Sequence, residues 1–485
     1  DREAQLEARI RQLESMLQKM PEPERVRQLE TKLQAMPDTA YVHRLEATVK
    51  QLSNQVEELS NRLEAPAAVG PRTRVGGGTV PAPGGTTGNA AVTEEVPGGA
   101  ASAVGPAAEA PTPRFEMPAP LPDISLRARF GPGFEFKTAD DEFNLQFHNL
   151  TQLDGRFHEQ GGQNPVADTF DIPRLWLIFN GHLTKPYEYY LSLAEGFDTF
   201  NILDVFLNVN YDKRLQFRFG RYKTPFTYEF YAEPVQALPN AEWSLFFNNF
   251  GINRDLGAMF WGESVWKRLD YAAGVFNSTR NGFLDLSDPK NVIAFLNAAP
   301  FRPDTGSPLE NFNIGASVVF GNQQHIPVPQ VLRTIVPTAG NAVLGVPFLA
   351  FNNDVIESGD RALWSLHAAY YYKQLSLIGE WQSGFQDYAR TSLPGVRTHL
   401  PIESYYLQAA YLLTGERVAS RGMIKPWHPF DLRPGRFGLG AWELAARYNQ
   451  LRLGNQVFTD GLANPSLWSN HLYTTDLTVN WYWNQ

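Results

Sequence analysis

The sequence predicts an all-β transmembrane barrel over residues 119–485, preceded by an α-helical coiled-coil region. Three observations predict it. Extended segments set an oily parity against a charged or polar one, as in "GAWELAARYNQLRL" (440–453), where Trp442, Leu444, Ala446 and Tyr448 oppose Glu443, Ala445, Arg447 and Asn449. Such segments reach the roughly 9–11 residues that a tilted membrane strand needs. No stretch approaches the ~18 uninterrupted apolar residues of a helical span, and aromatic residues, 13% of the chain, lie almost wholly after residue 118.

Taken in order, residues 1–65 read as helical. Val42, Val49, Val56 and Leu63 alternate with Leu45, Leu52 and Leu59 at spacings of three and four, a heptad seam. Leu6, Ile10, Leu13, Leu17 and Met20 form an earlier piece, and Val26, Leu29, Leu33 and Met36 a middle one. Pro21, Pro23 and Pro37 break the run, because proline lacks the amide proton and clashes with the preceding turn. Short coiled-coil segments joined at kinks fit better than one rod. A helical hairpin packed on itself is the plainer alternative, but the narrow seam favours helices from other chains.

Residues 66–118 contain "VGGGTVPAPGGTTGNAAV" and "PGGAASAVGPAAEAPTP", a Pro/Gly/Ala-rich composition that cannot bury enough apolar surface to offset chain entropy. They read as a linker.

Residues 119–485 are strand-like throughout. "RLWLIFNG" sets Leu175, Leu177 and Phe179 against Arg174, Trp176, Ile178 and Asn180. "YEYYLSLAEG" and "ILDVFLNVNY" repeat the pattern, and "LSLIGEWQ" puts Leu375, Leu377 and Trp381 opposite Ser376 and Glu380. Alternation carries no sign, so a soluble sandwich or propeller would show it too. Lipid is favoured because one parity is nearly pure Leu, Val, Phe, Tyr and Trp over many strands. Aromatics near strand ends, as in "NWYWNQ", suit interfacial girdles.

Composition excludes several classes. There is no cysteine, hence no disulfide scaffold or thiolate metal site. A net charge of -9 gives no footing for nucleic acid. Phosphate-loop, nucleophile-elbow and zinc-helix patterns are not evident. His148, His158 and His182 could meet acidic neighbours, as Asp154 lies near His158 in "LDGRFHE", but strand-end loops house them more simply. No catalytic residue, cofactor or metal is expected. The chain starts at Asp1, so a removed targeting segment or a trimmed end is expected.

Several stretches resemble the phosphate-selective porin O and P family of outer-membrane barrels: "GRYKTPFTYE" (220–229), "NRDLGAMFWG" (253–262), "LDYAAGVFN" (269–277), "YYLQAAYLLTGE" (405–416), "GAWELAARY" (440–448) and "TVNWYWNQ" (478–485). The resemblance implies trimers of sixteen-stranded barrels, each with its own channel. It places Lys223, Pro225, Phe226 and Glu229 near a constriction, and Thr414, Gly415, Glu416, Trp442, Glu443 and Arg447 on wall strands. Family members close with an aromatic-ended strand, so closing strands beyond residue 485 are expected here.

Parity then assigns pore-lining or constriction candidates: Arg174, Glu188, Asp204, Arg218, Arg221, Lys223, Glu229, Asp255, Glu380, Glu443 and Arg447. Arg218 lies between Phe217 and Phe219, which points it inward. Arg221 and Lys223 fall on the opposite parity unless Gly220 marks a bulge. Arg254 shares parity with Leu256 and Ala258, which puts it at the membrane edge with Asp255 inward.

The expected function is passive diffusion of small hydrophilic solutes or ions, with anions such as phosphate among the candidates. Residues 119–485 balance to a net -6 without a dense arginine run, which favours a general or weakly selective pore. The competing reading is an envelope tether or adhesin with a coiled-coil anchor. Expected partners are outer-membrane lipid, two further copies in a homotrimer, and peptidoglycan or another envelope component through periplasmic helices. Residues 297–310 and 321–360 are long for turns, the second a candidate surface cap or trimer contact.

Overall fold

The computed structural model describes residues 126–484, except 131–132, 160–165, 197–198, 265, 278–279, 281–287, 303–305 and 337–344. The coiled-coil and linker expectations for residues 1–118 lie outside the described residues.

The chain runs as a meander through β1 (Leu126–Phe130), β2 (Phe134–Thr138), β3 (Asn144–Arg156), β4 (Thr169–Thr184), β5 (Tyr187–Gly196), β6 (Thr199–Asp212), β7 (Leu215–Lys223), β8 (Arg254–Glu263), β9 (Leu269–Phe276), β10 (Asn291–Ala298) and β11 (Asn311–His325). A ribbon of β12 (Val331–Arg333) and β13 (Pro347–Ala350) intervenes. The meander resumes with β14 (Val355–Tyr372), β15 (Leu375–Arg390), β16 (Arg397–Leu412), β17 (Ala441–Leu453) and β18 (His471–Tyr482). Each strand of the sixteen-stranded sheet pairs antiparallel with its neighbour, and β12–β13 stands apart as a two-stranded sheet. β1 and β18 are the two sheet edges, and no ladder joins them among the described residues. The structure therefore shows a sixteen-stranded antiparallel sheet and not a closed barrel.

Tight turns link strands at one end. At Lys213–Arg214, the Asp212 carboxylate accepts the Arg214 N–H at 2.9 Å, an Asx-type turn.

The sheet is inside out by the standard of soluble proteins. On β16, Tyr405, Leu407 and Tyr411 are exposed, Leu407 at 63%, while Ser404, Tyr406, Gln408 and Ala410 between them are buried. β17 repeats this, with Leu444 and Tyr448 exposed and Glu443, Arg447 and Asn449 buried. Trp381 and Leu377 are exposed on β15, whereas Ser376, Glu380 and Gln382 are covered. A water-facing sheet would bury the first set and solvate the second. The covered side is the inner face of the sheet.

What covers it is chain, chiefly residues 224–253 between β7 and β8. Pro225 supplies no amide proton, and Thr227, a β-branched residue, sits at φ 64 where such residues are rare. The excursion then forms α1 (Tyr228–Tyr231), a 3-10 turn at Val235–Ala237, and α2 (Leu245–Phe250). Ser244 caps α2 by accepting the Phe247 N–H at 3.3 Å. Both ends are tied together: the Thr224 N–H and hydroxyl each donate to the Asn253 carbonyl, at 3.0 and 2.9 Å. Phe226, Tyr228, Leu245, Phe246 and Phe250 pack against inward residues of β8–β11 and β14–β17 in one apolar cluster. The β12–β13 ribbon joins it, with Leu332 and Leu349 buried there and Asn249 exchanging side-chain bonds with the Arg333 N–H and carbonyl, both at 2.9 Å.

Candidate functional site

Residues 224–253 divide the inner face into a sealed side and an open side. On the sealed side, Glu380 accepts four donors: the N–H groups of Tyr228 (2.6 Å) and Glu229 (3.4 Å), and the hydroxyls of Tyr406 (3.1 Å) and Ser365. A carboxylate with four lone-pair positions is thereby filled. The Glu229 carboxylate accepts from the Ser244 N–H at 3.0 Å and from its hydroxyl. Burial, with Glu380 as a like-charged neighbour, pushes Glu229 up to about 7. Glu233 is pushed up to about 8 by burial, with Arg421 pulling the other way.

Further along, Arg421 pairs with Glu443 at 2.7 Å and donates to the Ala237 carbonyl from Nε and Nη2 at 3.0 and 2.8 Å. Arg447 pairs with Asp476 at 2.8 Å and donates to the Trp243 carbonyl at 3.3 Å. Asn240 donates to Gln408 at 2.7 Å, and Asn480 to the Pro239 carbonyl at 2.8 Å. The excursion is thus fastened to β14–β18 along its length. It is also held from β4, where Arg174 donates to Gln152 at 2.6 Å and pairs with Glu242 at 3.2 Å.

The open side lies along β4–β10. One cavity of about 320 Å³ lies among Trp176, Tyr190, Asp204, Phe206, Tyr222, Lys223 and Arg254. A second, of about 630 Å³, lies among Glu188, Gln216, Trp261, Asp270, Tyr271 and Phe295. Arg218 and Tyr231 line both, so the two cavities meet at that pair. The Arg218 guanidinium carbon stands 4.3 Å from the Phe206 ring centre and 4.7 Å from that of Trp261.

Of the eleven sequence candidates, Glu188, Asp204, Arg218 and Lys223 border these cavities. Lys223 is partly committed, donating to the Phe230 and Glu233 carbonyls at 2.9 and 3.1 Å. Glu229, Glu380, Glu443, Arg447 and Arg174 hold the excursion in place. Arg221 donates to the carbonyls of Ile202 and Leu203, where the β5–β6 register shifts, and Asp255 accepts the Leu256 N–H at 2.8 Å. No register shift occurs at Gly220, which pairs with Phe206 and with Gly257.

Arg254 corrects the parity argument. It turns to the inner face, 3% exposed, and pairs with Asp204 at 2.9 Å. Arg254 is the first residue of β8, directly after Asn253 at φ 64, and its long side chain reaches Asp204 despite sharing parity with Leu256 and Ala258. Residues the sequence reading missed are Arg254, Tyr231, Trp261, Glu233, Glu242 and Arg421. For Tyr231, Glu233 and Glu242 the signal was the break in alternation over residues 224–253, marked by Pro225, Pro234 and Pro239.

Residues 349–485 match the model of the family described as phosphate-selective porin O and P. Porin O of Pseudomonas aeruginosa is 24% identical over 398 residues, covering 75% of this chain and 84% of that protein. Among solved structures, OmpT of Vibrio cholerae aligns at 11% identity over 70% of this chain and 83% of its own, with a TM-score of 0.37. The outer membrane channel DcaP of Acinetobacter baumannii aligns at 11% identity over 71% and 99%, with a TM-score of 0.32. The family match and the Porin O relative both support the phosphate-selective porin O and P family for this chain.

Proposed function

We propose that this chain is an outer-membrane porin whose channel passes small hydrophilic solutes or ions by passive diffusion, anions such as phosphate among them. The observation that carries this is the inversion of the sheet, with Leu, Tyr and Trp rows exposed and Glu, Arg, Gln and Asn rows covered. Hydrocarbon is the surrounding that rewards it. The tether or adhesin reading does not account for it. The family match points to a channel and not an enzyme.

An open edge in lipid costs several kcal/mol for each unpaired backbone group. β1 and β18 are the edges that closure has to satisfy, directly or through the closing strands expected beyond residue 485. Three barrels in a homotrimer would bring three N-terminal helical regions together in the periplasm, where raised effective concentration favours short coiled coils and contact with peptidoglycan or another envelope partner. Deleting residues 1–118 separates two roles: trimers that persist assign those helices to anchoring, and trimers that dissociate assign them to assembly.

Both signs of charge on the open side support weak selectivity. Purified chain placed in planar bilayers should give discrete conductance steps with modest anion–cation discrimination. A chain that is monodisperse without detergent, or that conducts nothing, overturns the porin reading. A strong phosphate preference with block at low phosphate overturns only the weak selectivity.

A further inference from the structure

We propose that the wall at Arg218 is a subsite for small zwitterions, solutes carrying a carboxylate and an ammonium group several ångströms apart. The inference rests on the channel reading and narrows it to a solute class.

Glu188, Asn208 and Arg218 stand in register across β5, β6 and β7. Neighbouring strands lie about 4.8 Å apart, so the acid and the base originate roughly 10 Å from each other. Asn208 fixes both. Its amide nitrogen donates to Glu188 Oε2 at 2.8 Å, and its oxygen accepts from Arg218 Nε at 3.4 Å and from Trp261 Nε1 at 2.8 Å. Asn210 donates to the other oxygen, Glu188 Oε1, at 2.7 Å.

The spacer keeps the two charges from neutralising each other. Among the described residues Glu188 joins no ion pair, and the terminal amino groups of Arg218 make no hydrogen bond. This contrasts with Arg254, which is spent on Asp204. Both Glu188 and Arg218 line the cavity of about 630 Å³, together with the faces of Trp261, Tyr231 and Phe295.

Chemistry then selects among solutes. A simple anion meets Arg218 and Lys213 but also Glu188, Glu263 and Asp270 in the same cavity. A simple cation meets the unspent guanidinium. A zwitterion can give its carboxylate to the Arg218 fork and its ammonium to Glu188. Each charge it loses from water is then matched by one the wall already holds apart.

The test uses full-length channel in planar bilayers carrying potassium chloride current, with 4-aminobutyrate, butyrate and butylammonium as probes. Half-block by 4-aminobutyrate is expected at a concentration at least about fivefold below that of either singly charged analogue, as charge-assisted bonds at both ends would give. Arg218→Gln and Glu188→Gln should each erase the difference, with heat-modifiable gel mobility reporting that each variant folds. The exchange of Glu188→Arg with Arg218→Glu should restore it. Equal block by all three probes, or a difference that survives both single variants, overturns the subsite while leaving the channel reading intact. Absence of conductance in every solution overturns the channel reading first.

Discussion

Glu380 of β15 accepts the backbone N–H of Tyr228 at 2.6 Å, across 152 residues of chain. This bond makes the first turn of α1 part of the opposite wall, and it decides which side of the inner face is left open. The Tyr228 N–H is one of the orphan donors at a helix start, so an acidic partner there is favoured.

Removing that acceptor should loosen the excursion. Glu380→Ala strands two buried N–H groups and two hydroxyls, at a cost of about 2–3 kcal/mol. The expected result is a lower temperature of heat-induced gel shift and a larger, noisier single-channel conductance. An unchanged conductance would show that residues 224–253 keep their place without the latch.

How much of this was legible beforehand depends on what alternation can encode. The strands were readable because period-two patterning survives any environment: Leu444 and Tyr448 against Glu443 and Arg447 fall on opposite faces as read. Whether the apolar face meets lipid or a dry core was not readable from alternation alone, since the pattern is symmetric under exchange of inside and outside. The break in alternation over residues 224–253 was visible, but where that stretch folds was not, because its burial depends on partners such as Ser317 and Glu380, which come 90 and 152 residues after their donors. Arg254 was misassigned because, at the first position of β8, its long side chain follows its ion pair with Asp204 and not the parity it shares with Leu256 and Ala258.

The raised carboxylates of the excursion predict a pH dependence. Glu233 at about 8 and Glu229 at about 7 both lie above the ordinary 4.5, chiefly through burial. An acid whose pKa is raised on folding contributes stability that is full below its unfolded value and is lost as pH rises through the folded one. Between pH 6 and 9 these two groups should therefore ionise beside Glu380 and weaken the excursion. The heat-shift temperature should fall over that range, and Glu233→Gln should flatten the fall. A temperature that stays constant from pH 6 to 9 would count against it.

Arg421 and Glu443 form a pair whose side chains are 0% and 1% exposed. Arg421→Ala leaves Glu443 buried with only the Tyr482 hydroxyl at 2.7 Å and the Asn480 amide at 3.1 Å. The expected loss is about 3–5 kcal/mol, most of it from the uncompensated charge. Adding Glu443→Gln should recover part of that loss, which a denaturation midpoint compared across the three variants would register. Strict additivity would mean that the two side chains do not act as a pair.

The inside-out arrangement is tested most directly by two adjacent positions on β16. Leu407 is 63% exposed, whereas Gln408 is 4% exposed and accepts from Asn240. Leu407→Arg sets a guanidinium into hydrocarbon near the middle of a strand, which costs about 2–4 kcal/mol at the bilayer midplane. Gln408→Glu keeps an oxygen for Asn240 and sets its charge in register with Arg447 on β17, so its cost should be the smaller of the two. Folding into vesicles, then titrating with denaturant, would rank the two. If Leu407→Arg were the milder change, the exposed Leu and Tyr rows would face water or another protein surface, and the channel would lose the observation on which it stands.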